Sequence, residues 1–121
     1  MFLATINKGK RLLLLSYIHH VTAEEVRRGR EDVESFSADL PAGMRVLADF
    51  GQLESMDSAC AAEVGKLMEL AQRNGVEAVV RVMPDPAKDI GLNILSHFHY
   101  RKLPKIQTCD TLEEAAKLLS L

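Results

Sequence analysis

The chain has 121 residues, with 15 Lys and Arg against 17 Asp and Glu and a net charge of −2. That length suits a single domain over residues 1–121 with a substantial core, and the charge balance excludes the basic footprint of a nucleic-acid binder. Hydrophobic residues are 47% of the sequence and aromatics 5%, so an aliphatic core is expected.

Phe2 to Asn7 reads as a strand and Arg11 to Ile18 as another, with Lys8-Gly9 between them as a hairpin signal. Thr22 followed by Glu25 is a capping box that opens a helix. Ala23, Val26, Val33, Phe36 and Leu40 mark its apolar side, and Pro41-Ala42-Gly43 ends it. On the same helix Arg27-Arg28-Gly29-Arg30 runs into Glu31-Asp32, the pattern of a solvated face. Arg45 to Asp49 is a buried strand. A short loop then leads to Met56-Asp57-Ser58 at the mouth of a second helix. Cys60, Val64, Leu67, Met68 and Ala71 face its core side, and Glu63, Lys66, Glu69 and Arg73 face out. Asn74-Gly75 is a helix exit.

Glu77 to Val82 is rich in valine and alternates little, as a strand covered on both faces does. Asp85-Pro86 opens a third helix with Ile90, Ile94 and Phe98 on its apolar side. Lys105 to Thr108 is a last short strand. Asp110 or Thr111 caps a final helix, with Glu113 or Glu114 completing the box and Leu112, Ala115, Ala116 and Leu119 facing inward. The order is β-β-α-β-α-β-α-β-α. It predicts an α/β fold with a mixed, mainly parallel sheet of about five strands and four helices.

Several chemistries find no support in the residues. Cys60 and Cys109 give neither a disulfide framework nor a metal-ligand spacing. The histidines are His19, His20, His97 and His99, and the predicted topology sends the first two and the last two to opposite edges. No metal site and no cofactor are expected. Cys60 with His19 or His20 is a conceivable nucleophile and base, but Cys60 falls on the apolar side of its helix, where an inert buried thiol is usual. No oxyanion-hole motif, phosphate loop or carboxylate pair appears, so the chain is not read as an enzyme. It has no signal-peptide pattern, and Leu12 to Leu15 is far too short to span a bilayer. A soluble, cytoplasmic protein is expected.

Two places remain for function. Asp57-Ser58 reads either as a helix cap or as a modifiable hydroxyl where the helix dipole favours a phosphate. On the third helix, Leu92 and His99 lie seven apart on one face, beside Gly91. That face is either an interaction surface, a lid over an apolar cavity, or part of a wide core stripe.

The element order together with Met56-Asp57-Ser58 resembles the STAS domain, found in sulfate-transporter tails and anti-sigma factor antagonists. The resemblance spans Arg11 to Leu119. It is carried by Ser16 to Glu24, by Val46 to Asp49 with Leu53 to Ser58, and by Gly75 to Val82 with Pro86 to Phe98. It implies a bacterial signal-transduction module that binds a protein partner, such as an anti-sigma factor or related kinase. It also implies phosphorylation at Ser58, with Asp57, His19 and His20 adjacent to the switch. A homodimer is a further option. The alternative is a small-molecule or lipid-binding STAS-like module with an apolar pocket under the third helix. The chain departs from the family pattern in having Ala59 and Cys60 after the serine, and Ser16 and His19 at the end of the second strand. These mark it as a divergent, stand-alone form.

Overall fold

The computed structural model describes residues 1–85 and 99–121. The helix predicted from Pro86, including Gly91, Leu92, Ile94, His97 and Phe98, lies outside the described residues. Five strands form one sheet in the order β1 (Phe2–Asn7), β2 (Leu12–Val21), β3 (Arg45–Met56), β4 (Ala78–Val82) and β5 (Lys105–Cys109). β1 is antiparallel to β2, and the other pairings are parallel. Among the described residues there are three α-helices: α1 (Ala23–Ser35), α2 (Cys60–Arg73) and α3 (Leu112–Leu118). The fourth predicted helix is the one outside them.

Strand alternation sorts the core into two layers. Leu13, Leu15 and Tyr17 of β2, Val46, Ala48 and Phe50 of β3 and Val79 of β4 share a cluster with Val26 and Val33 of α1 and Val64 and Leu67 of α2. Leu12, Leu47, Val80 and Val82 pack on the other face with Ala115 and Leu119. The centre of the first layer is aromatic as well as aliphatic. Tyr17 stacks on Phe50 at 4.2 Å and meets Phe2 edge-on at 4.9 Å.

Local signals set the helix ends as expected. Thr22 Oγ1 accepts the Glu25 amide at 3.2 Å, and Glu25 Oε1 accepts the Thr22 amide at 3.0 Å. At the exit of α2, Gly75 donates to Gln72 and Val76 to Ala71, both at 3.1 Å, with Gly75 at φ +71°. Such paired closure around a left-handed residue favours glycine. Thr111 caps α3 by accepting the Glu114 amide at 3.1 Å.

Other boundaries differ from expectation. α1 stops at Ser35, and Ser37–Asp39 form a 3-10 turn. Pro41 holds Leu40 in extended backbone, φ −75° and ψ 125°, and Phe36 is left 48% exposed. Leu112 was expected inside and is 51% exposed, because α3 is short and only Ala115 and Leu119 reach the sheet. The arginine run is not wholly a solvated face. Arg27 and Arg28 do pair with acids on their own helix, but Arg30 is largely buried and reaches Glu63 of α2 at 3.4 Å. Gly29 is buried beneath the Phe2 ring.

Candidate functional site at the carboxyl end of strands β2 and β3

β3 does not end at Asp49. It runs to Met56, and β2 runs to Val21. β4 pairs with β3 only as far as Asp49, and β1 pairs with β2 only as far as Tyr17. Beyond those points β2 and β3 pair with each other, through Ile18 with Gln52, His19 with Leu53, His20 with Ser55 and Val21 with Met56. The residues read as a loop are therefore strand. The register shifts twice, between Ser16 and Ile18 and between His19 and His20. Such irregularities re-aim side chains. At the first, the Gly51 amide donates to Asp49 Oδ1 at 2.8 Å. At the second, His19 takes a left-handed backbone, φ +55°.

His20 sits at the centre of the polar surface that results. Its Nδ1 lies 2.7 Å from Ser55 Oγ and its Nε2 lies 3.0 Å from Asp57 Oδ1. A neutral ring with its proton on Nε2 donates to Asp57 and accepts from the Ser55 hydroxyl, and a protonated ring donates to both. His19 Nδ1 faces Glu54 Oε1 at 3.4 Å, with both side chains about 70% exposed. A pair so exposed holds little energy.

Asp57, Ser58 and Ala59 are exposed and turn the chain into α2. The Asp57 amide donates to Val21 at 3.1 Å, and its carbonyl accepts the Cys60 amide at 2.9 Å. The cap reading of Asp57-Ser58 is overturned. The N-cap is Ala59, with no side-chain cap bond, and the Asp57 carboxylate is turned to His20 instead. Ser58 thus stands just before the helix, in the turn.

Cys60 follows at 0% exposure, its thiol toward the Val21 carbonyl at 3.5 Å. Burial pushes this thiol above its ordinary value, and the nearby Asp57 charge acts in the same direction. That is the opposite of an activated nucleophile. His99 lies apart from this site. Its Nδ1 is 2.8 Å from Glu69 Oε1, and its ring covers Gly65 on α2, where an added Cβ would come within 2.6 Å of Cε1. Leu92, its predicted companion, is outside the described residues. No three His, Cys, Asp or Glu side chains among the described residues are grouped to hold a metal. No described helix is long and apolar enough to cross a membrane.

Two features escaped the sequence. Ser55 was read as loop, and its link to His20 spans 35 positions. Arg81, inside a valine strand, is 2% exposed. Its only sequence signal is one cation in an otherwise apolar run.

The opening hairpin, the parallel strands that follow, and the exposed Asp-Ser turn before α2 give the chain a STAS-like fold. Solved structures carry the same fold. The anti-sigma factor antagonist SpoIIAA in its unphosphorylated form matches with a TM-score of 0.65 and 17% identity, over 99% of this chain and 98% of that one. The phosphorylated Bacillus cell fate determinant SpoIIAA matches with a TM-score of 0.63 and 17% identity, over 98% and 99%. An uncharacterised Shewanella loihica protein with a SpoIIAA-like fold matches with a TM-score of 0.70 and 13% identity, over 98% and 92%. No family model matches the chain, and no curated protein matches it in sequence. At these identities the likeness is one of fold.

Proposed function

We propose that this chain is a regulatory protein-interaction module that works by binding, with Ser58 as a phosphorylation switch. The observation that carries the reading is the exposed Ser58 in the turn before α2, its side chain not used as a cap. A phosphate there adds nearly two negative charges and meets the positive end of a helix dipole. It also stands beside the Asp57 carboxylate, and so presents a concentrated negative patch to any partner. The fold it shares with phosphorylated and unphosphorylated SpoIIAA supports the reading. The expected partner is a protein of the anti-sigma factor or related kinase type, met in the cytoplasm. Asp57, His19 and His20 form the surface beside the switch, and Leu92 with His99 is a second candidate contact.

The test is mass analysis of the protein from its native cells, combined with retention of a partner by three forms. One phosphate on Ser58 is expected, with Ser58→Ala retaining the partner and Ser58→Glu releasing it. An unmodified Ser58, with equal retention by wild type, Ser58→Ala and Ser58→Glu, defeats the proposal.

A further inference from the structure

β1 ends the sheet on its side, and among the described residues it pairs with β2 alone. Which of its backbone groups that pairing uses follows from one bonded pair. The Ile18 amide donates to the Met1 carbonyl and the Met1 amine donates to the Ile18 carbonyl, both at 2.8 Å. In an antiparallel ladder such pairs alternate with unbonded ones. The register therefore bonds Leu3 to Ser16, Thr5 to Leu14 and Asn7 to Leu12. The N–H and C=O groups of Phe2, Ala4 and Ile6 point outward, away from β2.

Exposed edges are ordinarily blunted by charge, proline or a bulge. Phe2–Asn7 contains no charged residue and no proline, and its register with β2 is unbroken. Beside this edge, Ala4, Ile6, Phe36 and Leu40 line an apolar groove. Phe36 stands exposed in it because α1 stops at Ser35. Outward backbone groups beside a pocket for alternate side chains are what strand addition requires.

Charge selects the occupant. Lys10 and Arg11 are exposed in the turn that follows β1, whereas the first acid in the chain is Glu24. A second copy adding its own β1 would bring no acid on that strand. A segment that runs antiparallel to β1, with acidic residues at its amino end, places them beside Lys10 and Arg11.

We propose that the β1 edge docks an extended protein segment with alternate aliphatic residues and an acidic amino end, added antiparallel to β1. The turn lies at the amino end of β2 and Ser58 lies past the carboxyl end of β3, so this surface is separate from the Ser58 switch.

The test uses the peptide Asp-Glu-Val-Thr-Val-Thr-Val, followed by fluorescence anisotropy and amide hydrogen exchange. Saturable binding is expected, with the Ala4 and Ile6 amides exchanging at least about tenfold more slowly in the complex. Lys-Lys in place of Asp-Glu should weaken binding about threefold or more, the worth of a surface charge pair. Ala4→Pro removes an outward N–H that β2 does not use, so it should keep the fold and abolish binding. Thr5→Pro removes an N–H bonded to Leu14 and should melt well below Ala4→Pro. If Ala4→Pro does not fold, the wild type decides with methylated peptides. Methyl groups on the valine nitrogens, which face β1, should prevent binding, and methyl groups on the threonine nitrogens should not. No saturable binding, equal affinity for the Lys-Lys or valine-methylated peptide, or unchanged binding by Ala4→Pro overturns the proposal. A dimer in sedimentation that Ala4→Pro disperses, with no peptide bound, gives the edge to a second copy and overturns it too.

Discussion

Gly29 lies in mid-α1, where alanine is ordinarily the better residue. By helix propensity alone, Gly29→Ala should stabilise the protein by about 1 kcal/mol. The packing argues the other way. A Cβ at this position would lie 2.5 Å from Phe2 Cδ2, well inside contact. The ring has little freedom to yield, because Phe2 is 8% exposed and its edge meets Tyr17 at 4.9 Å. Overpacking of this kind costs about 1–3 kcal/mol, and losing the aromatic contact adds about 0.5–1.5 kcal/mol. Gly29→Ala is therefore expected to destabilise by about 1–3 kcal/mol in net terms. At about 4 °C per kcal/mol for a domain of this size, the melting temperature should fall by about 4–12 °C. A double-mutant cycle checks the cause. Phe2→Leu should cost less in the Gly29→Ala background than in the wild type, by about 1 kcal/mol or more. A Gly29→Ala protein that melts at or above the wild-type temperature would refute the packing of β1 on α1.

Thr22→Ala removes the hydroxyl half of the capping box and should cost about 1 kcal/mol in denaturant melts at neutral pH. The amide and hydroxyl of Thr22 hold the Glu25 carboxyl below its ordinary value. A depressed carboxylate stabilises above its unfolded pKa and loses that contribution as the pH falls, so the gap between variant and wild type should narrow below about pH 4. A gap that widens on acidification speaks against the box. Cys60 and Cys109 are both buried with thiols raised by that burial; a thiol reagent at about pH 8 should modify native protein at least about tenfold more slowly than unfolded protein. Leu112→Asp should change stability by no more than about 0.5 kcal/mol, whereas Leu119→Asp should abolish cooperative melting, since Leu119 is 3% exposed against Leu12 and Val80. Similar melts for these two variants would mean that α3 is docked on a different face.

The sequence by itself determined whatever is local in origin. The capping box at Thr22 and Glu25, the exit at Asn74-Gly75 and the cap at Thr111 each depend on groups a few positions apart, so their residue types suffice to read them. The apolar side of α2 was legible for the same reason, since helical period alone puts Cys60, Val64, Leu67, Met68 and Ala71 together. The order of the strands and of the described helices followed, and with it the STAS-like fold. Only the tertiary structure decided where strands end, because a strand lasts as long as a neighbour pairs with it. Phe50 to Met56 looks like loop in isolation and becomes strand because β2 continues beside it. That pairing brings Ser55 and Asp57 onto His20 and draws the Asp57 carboxylate away from a capping role. Burial of the exceptions was decided in the same way. Phe2 closes over Gly29, Leu112 is left in solvent by the shortness of α3, and Arg81 is carried inward by the alternation of a strand covered on both faces. Such contacts join residues far apart in the chain, and no short pattern of residue types specifies them.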